Sequence, residues 1–573
     1  TRFMASSADS DSSPPSDPLA PPPAVAEPAA DRSAGPADAV PDSTPLFTAS
    51  FTGLVVAAAL GALNDNVFRW SIVGISKHLL PEEYHALVLA IGSIMLVAPF
   101  LPLASPAGWA ADRFSKGRVV GWVKFAEILI MSAGAAGIWA ATACRGPLDG
   151  ALPPPAVPLD ATTVLAVLFT VLAFMGAQSA FFGPVKYGGM AELVPSHKLA
   201  AANGVMALVT YLAIIFGAVL GNLVADYWIR DRIGGTIAIA GSIVGIAAAG
   251  YLATFFIRRV PAANPARKLS ANLFAETFAD FKKLSSNRPL FAAAVAAAYF
   301  WSLGALATLI VDDYGGKLVV PFGVDVAAAQ QVSEQAATAG TSVDAAAAAG
   351  AATTATARGV GLSRAEIGPL QAILAIGIGI GSVLAGLASA GRIELGQVPV
   401  GALGMAVSCA VLWWIASTGA VGFVWAALWL ALLGLAGGLY DVPLASYLQD
   451  RCPPEHRGAV IAVNNFMTFS GVMLMSAIYP LLRNTFGLTI PQVFLAAGLV
   501  TLAVFFAQWS VLMFATMRFI VGLIARLFYR VRVYGADSIP DEGPALLISN
   551  HVTYADGLML SLASPRKVRM VAY

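Results

Sequence analysis

The sequence predicts an all-α polytopic membrane protein: 12 transmembrane helices in two six-helix halves, followed by the start of an α/β segment. Composition is the first reason. Of 573 residues, 58% are hydrophobic and 12% charged, with a mean hydropathy of +0.74, which exceeds what one water-soluble core can bury. Spacing is the second. Apolar segments of about 20 residues, the length that crosses the hydrocarbon, recur near 47–76, 86–107, 118–142, 162–187, 203–226 and 234–257, then near 289–312, 365–390, 397–418, 422–447, 458–482 and 490–514.

The third reason is an internal repeat. Pro184 through Pro195-Ser196-His197-Lys198 to Asn203 matches Pro443 through Pro454-Glu455-His456-Arg457 to Asn464. The paired prolines are 259 residues apart, and each second proline is followed by His and then a base. Both stretches close the fourth span of their half, as duplication of a six-span unit would require.

Along the chain, residues 1–45 are a Pro/Ala/Ser/Asp tail too poor in large apolar side chains to offset its ordering entropy, and are expected to be disordered. The tail lacks the basic start and apolar middle of a signal peptide. The first Met is Met4, so three residues are expected to precede the start codon. The first half occupies 46–257, a cytoplasmic linker 258–288 and the second half 289–514, with an Ala-rich loop at 314–362 expected to be a mobile insert. Within the linker Phe274, Phe278 and Phe281 recur opposite Glu276, Asp280 and Lys283, the pattern of an amphipathic helix that either lies on the inner membrane surface or packs on the bundle. The remainder, 515–573, is expected to hold an interfacial helix and a truncated domain.

A net charge of +1 carries no nucleic-acid footprint. Cys144, Cys409 and Cys452 lack any metal or disulfide spacing and read as packing thiols, so no metal and no bound cofactor are expected. Loop charges orient the chain. With a cytoplasmic amino terminus the inside loops collect fourteen Lys and Arg and the outside loops eight, placing both termini in the cytoplasm.

Polar residues at membrane depth are costly, by ~2.5–3.5 kcal/mol on insertion scales, and so mark function by default. Asn64-Asp65-Asn66 and Arg69 lie in the first span; Asp65 and Arg69 are also spaced to neutralise each other along one helix face. Lys124 and Glu127 share a face of the third span, where Lys124 could equally snorkel to the inner interface. Gln178 through Lys186-Tyr187-Gly188 ends the fourth span around Pro184, and Tyr440-Asp441-Val-Pro443 stands at its match in the tenth. Proline removes a backbone donor, so both helices are expected to be broken or kinked there, a pointer to a transport site in which Lys186 meets a phosphate.

After the second span, Gly108-Trp-Ala-Ala-Asp112-Arg113-Phe-Ser-Lys116-Gly117-Arg118 resembles the signature loop of the major facilitator superfamily. The small residue admits a neighbouring helix, while the carboxylate and bases make latch contacts at the inner surface that break during rocking. The matching Gly386–Arg392 stretch lacks the Asp, so the latch should be asymmetric. Over residues 47–514 the resemblance narrows. FTGLVVAAALGALNDNVFRW, SPAGWAADRFSKGRVVGWVKFAEI, FFGPVKYGGMAELVPSHKLAAANGVM and GRIELGQVPVGALGM look like the bacterial lysophospholipid transporter family, LplT. That resemblance implies a major facilitator fold and inward flipping of lysophospholipid across the inner membrane, with Asp65 in the headgroup site. A monomer is expected by analogy with the two-half architecture.

The tail changes character. Four arginines among aromatics in 518–532 suit an inner-leaflet interface, and ALLIS (545–549) reads as a short buried strand running into Asn550-His551-Val-Thr553-Tyr-Ala-Asp556. A carboxylate five positions on can fix an imidazole as a base. This resembles the first motif of the glycerophospholipid acyltransferases, PlsC, with Thr553 in the Ser place. The resemblance implies that His551 activates a glycerol hydroxyl for attack on an acyl thioester, with Asp556 orienting it and acyl carrier protein or CoA delivering the acyl group. The family's later FPEGTRS-type motif is absent, so this chain is expected to move lipid without acylating it. A membrane-anchored acyltransferase without transport, and a general exporter of amphipathic compounds, stay open on the residues alone.

Overall fold

The computed structural model describes residues 40–144, 159–270, 272–315, 364–389, 392–418 and 423–528, and a few positions beyond. The N-terminal tail to 39, nearly all of the Ala-rich loop, and His551 with Asp556 lie outside the described residues.

The helices are α1 (Ala49–Leu79), α2 (His85–Val97), α3 (Ala104–Arg113), α4 (Lys116–Ala141), α5 (Ala161–Leu193), α6 (Leu199–Arg230), α7 (Arg232–Ala253), α8 (Leu273–Ser286), α9 (Arg288–Gly315), α10 (Arg364–Ala388), α11 (Gln397–Thr418), α12 (Phe423–Arg451), α13 (Arg457–Pro480) and α14 (Ile490–Phe528). Several start on side-chain caps: Thr48 accepts from Phe51 N at 3.2 Å, Asp160 from Thr163 N at 2.7 Å and Asn272 from Ala275 N at 3.0 Å. Among the described residues eleven helices are long and apolar enough to cross a membrane, and α2 with α3, bent by 47°, completes the twelve as one span. Polarity runs inside-out. Phe216 is 63% and Val511 81% exposed, whereas Lys124 and Glu127 are 1% exposed, an arrangement only lipid as solvent makes favourable.

The halves repeat one packing scheme. Within the first, α1 packs on α6, α4 on α5 and α7, and α2 on α5; within the second, α9 packs on α13, α11 on α12 and α14, and α10 on α12. The matched stretches fold alike, each a long helix with an internal proline, a three-residue 3-10 turn (Ser196–Lys198 or Pro454–His456) and the next helix. Between halves, α6 lies along α10 and α3 along α13. Their close approaches gather at the end carrying the α3–α4 turn. A Cβ on Gly204 would lie 2.5 Å from Ser382 O, and one on Gly386 2.8 Å from Ala201 Cα. Gly204→Leu is therefore expected to hold α6 and α10 apart here, read as a longer spin-label distance between their ends; an unchanged distance refutes it.

Three expectations need correction. Neither α5 nor α12 is broken at Pro184 or Pro443, each of which lies inside one continuous helix; neighbouring helices and local adjustment can compensate a missing donor inside a bundle. The break falls instead in the second span, where Pro99 and Pro102 surround the α2–α3 junction and each removes a backbone donor within one turn. No separate interfacial helix begins at 515, because α14 runs unbroken to Phe528. Its 39 residues reach about 58 Å at 1.5 Å per residue, nearly twice the hydrocarbon thickness, and no proline stops it. Finally, 545–548 are not in a strand, and Leu546 and Ile548 are 85% and 88% exposed. Among the described residues no partner strand offers the ladder bonds that a strand requires.

Helix α8 docks on α3, α9 and α13. Phe281 packs edge-on against Phe291 at 5.6 Å, while Phe274 and Phe278 stay 75% and 69% exposed. Packing on the bundle and presenting an apolar edge thus coexist in one short helix.

Candidate functional site

Glu127 on α4 organises the polar interior of the first half. Its carboxylate accepts from Lys124 Nζ at 2.7 Å, Asn64 Nδ2 of α1 at 3.0 Å and Gln178 Nε2 of α5 at 3.2 Å. Lys124 Nζ also lies 5.1 Å from the Phe182 ring centroid. Gly61 on α1 makes the room, since a Cβ there would stand 2.5 Å from that nitrogen. Snorkelling by Lys124 is thereby overturned: a carboxylate one turn away is a nearer partner than any headgroup, and the pair is buried with its hydrogen bonds made.

Asp65 and Arg69 reach different neighbours. Asp65 Oδ2 accepts from Ser179 Oγ of α5 at 2.9 Å, and Arg69 donates to Ser93 Oγ of α2 at 2.8 Å. The other carboxylate oxygen of Asp65, and Oδ1 of Asn64, are buried without a hydrogen-bond partner. Asn66 does not join the patch; its amide donates to Ala62 O of its own helix at 2.9 Å. Lys186 lies within electrostatic reach of Asp65 and over the neighbouring Tyr187 ring at 4.4 Å. Among the described residues no carboxylate pairs with Lys186, and Asp441 of α12 has no hydrogen-bond or ion-pair partner. Among the described residues, therefore, neither Lys186 in the first half nor Asp441 in the second makes a direct ion pair.

The signature loop divides its labour. Gly108 lets α13 approach to 3.0 Å of where a Cβ would sit, and Asp112, 0% exposed, accepts from Gly458 N at 2.7 Å and Ala459 N at 3.1 Å. These are first-turn amides of α13, so a carboxylate of one half caps a helix of the other. Arg267 of the linker pairs with Asp112 at 2.7 Å and also with Glu276 at 3.2 Å and Asp280 at 2.8 Å of α8. Burial pushes the Asp280 carboxyl up from its ordinary range, although the Arg267 guanidinium opposes it. Arg113 donates to Arg267 O at 2.5 Å. The remaining bases do not latch: Lys116 pairs with Glu192 inside its own half and Arg118 is exposed. At the matching corner Glu394, unnoticed in the sequence because it follows the motif, pairs with Arg392 at 3.3 Å and Arg518 at 3.5 Å. A second bridge between halves joins Asn203 to Ser446 at 3.1 Å and to Gln449 in both directions, at 3.2 and 2.9 Å.

Solved structures of the same architecture include the Escherichia coli fucose:proton symporter FucP (TM-score 0.54, 14% identity, 80% of this chain and 97% of that one) and the human organic anion transporter MFSD10 (TM-score 0.54, 13% identity, 81% and 100%). In sequence, the lysophospholipid transporter LplT of Salmonella arizonae is 27% identical over 450 residues, 78% of this chain and 91% of the relative. This chain is LplT-like over most of its length and has the major facilitator fold. LplT of Serratia proteamaculans is 26% identical over 242 residues, covering 42% of this chain and 50% of that relative. The acyltransferase family model matches residues 530–573, so the LplT-like chain carries acyltransferase sequence directly after its last span.

Sequence reasoning missed Gly61, Ser93, Ser179, Arg267 and Glu394. Ser179 and Gly61 had a signal in their helical phase relative to Lys186 and Asp65; Arg267 had none, because a linker base gives no hint of a partner 155 residues away.

Proposed function

We propose that this chain flips lysophospholipid across a bacterial inner membrane by rocking its two halves about a mid-depth headgroup site, and that both termini face the cytoplasm. The carrying observation is the half-buried Lys186 cation, which makes no ion pair among the described residues and has Asp65 only within electrostatic reach, since an ammonium at membrane depth without a direct partner favours an anionic ligand and a phosphodiester supplies one. Similarity to LplT over most of the chain supports the substrate class. With the α3–α4 end cytoplasmic, the halves here are latched on the cytoplasmic side, and Asp112 and Arg267 must release before lipid leaves inward. On this reading the acyltransferase-like sequence after α14, residues 530–573, belongs to a domain that re-acylates the imported lysolipid, with His551 taking the proton of the free glycerol hydroxyl and acyl-CoA or acyl carrier protein supplying the chain.

The test is uptake of radiolabelled lysophosphatidylethanolamine by spheroplasts expressing the chain. Lys186→Met is expected to reduce uptake about 10–100-fold, the worth of one charge-assisted contact, and Asp65→Asn to reduce it as well. Uptake no greater than from an empty vector would sink the reading.

A further inference from the structure

Asp441 is a charge at membrane depth that the transport reading leaves without a chemical task. It lies on α12 in the second half, and its surroundings are aromatic. Phe300 of α9 meets Tyr440 of α12 with ring centroids 6.2 Å apart, and Gly437, one turn earlier, leaves room for the Phe300 ring. Trp301 and Asp441 are the next residues on these two adjoining helices. Trp301 in turn stacks on Tyr211 of α6 at 6.3 Å and 17°, across the boundary between halves. Tyr211 is within electrostatic reach of both Asp441 and Tyr187, and Tyr187 carries the Lys186 ammonium on its face. Tyr211, Trp301 and Asp441 each stand ten to thirteen residues from the α3–α4 end of their helices, about 15–20 Å deep at 1.5 Å per residue.

We propose that Asp441, Tyr211 and Trp301 form a subsite for an alkylammonium group, so that the transporter takes a zwitterionic headgroup with its phosphate toward Lys186 and its amine at Asp441. The chemistry is specific. A carboxylate at membrane depth with no donor among the described residues is stabilised by a cation, and the stacked Tyr211–Trp301 pair, whose Tyr211 is within electrostatic reach of it, offers attraction that an anion or a neutral hydroxyl does not receive. Tyr211 is within electrostatic reach of Asp441 on one side and of Tyr187, which carries the Lys186 ammonium over its ring, on the other, so the anionic and cationic subsites lie to either side of one tyrosine.

The inference rests on the lysophospholipid reading and is separable from it. Uptake of lysophosphatidylethanolamine and lysophosphatidylglycerol with the same acyl chain is compared in wild type and Asp441→Asn. The variant is expected to lose about 10-fold or more of ethanolamine-lipid uptake, as for one hydrogen bond to a charged group, while glycerol-lipid uptake stays within about twofold. Equal loss of both headgroups, the result for a structural or ion-coupling carboxylate, overturns the subsite, as does no loss of either. Wild-type competition is the second measurement, independent of whether the variant folds. N-acetylated lysophosphatidylethanolamine, which keeps the phosphate and loses the cation, is expected to compete at least about 10-fold more weakly than the parent lipid; equal competition overturns the subsite. Wild type importing neither headgroup removes the lysophospholipid reading itself.

Discussion

Glu127→Ala is expected to destabilise the fold by about 3–5 kcal/mol, the cost of stranding one member of a buried ion pair. Lys124 would keep its ammonium at 1% exposure with no directly paired carboxylate, the Phe182 face beside it and Asp65 only within electrostatic reach, and Asn64 and Gln178 would each lose an acceptor. Against a typical total of about 5–15 kcal/mol, such a loss should appear as a large drop in thermal midpoint for the purified protein in detergent. Exchanging both partners, Lys124→Met with Glu127→Leu, is expected to restore much of the midpoint, because apolar groups of similar volume remove both desolvation penalties. A midpoint unchanged in Glu127→Ala would show that the pair contributes nothing to folding. A double variant as unstable as the single one would assign the cost to packing instead of charge.

The second large effect is conformational. In Asp112→Ala the amides of Gly458 and Ala459 lose their cap and Arg267 loses its innermost carboxylate. Bonds to a charged group are worth about 1.5–3 kcal/mol each, so the population closed at the α3–α4 end should fall at least about 10-fold relative to the open one. A single cysteine at Ala462, in a background with Cys144, Cys409 and Cys452 replaced, reads this as faster thiol labelling from that side. Arg267→Ala should move labelling in the same direction by less, since Asp112 keeps its backbone contacts. Labelling rates equal to those of wild type in Asp112→Ala would remove the latch from the mechanism.

Much of the architecture was legible because its causes are local. Span number follows from apolar length, and the fourth and tenth spans were recognisable as equivalents from prolines and bases in register. The α2–α3 bend was equally local, written in Pro99 and Pro102, yet it was sought at Pro184 and Pro443, where single prolines are tolerated inside packed helices. Within the candidate site Asp65, Lys124, Glu127, Lys186 and Asp441 stood out, since a charge in an apolar run is visible without any partner. Their roles did not. Lys124 and Glu127 prove to be mutually satisfied, whereas Lys186 and Asp441 make no direct ion pair among the described residues, and no spacing rule distinguishes the two pairs.

The sequence by itself determined that this chain is a membrane protein of two equivalent six-span halves, which positions carry charge at depth, and that acyltransferase-like sequence follows the last span. Those properties depend on side-chain hydrophobicity summed over neighbouring positions. Only the tertiary structure decided which charges neutralise each other, that Asp112 caps a helix of the opposite half while also pairing with Arg267 of the linker, and that Tyr211 stacks on Trp301 across the two halves. Such outcomes depend on distances between helices far apart in the chain, and an ammonium or carboxylate takes its function from the partner that packing brings to within about 3 Å.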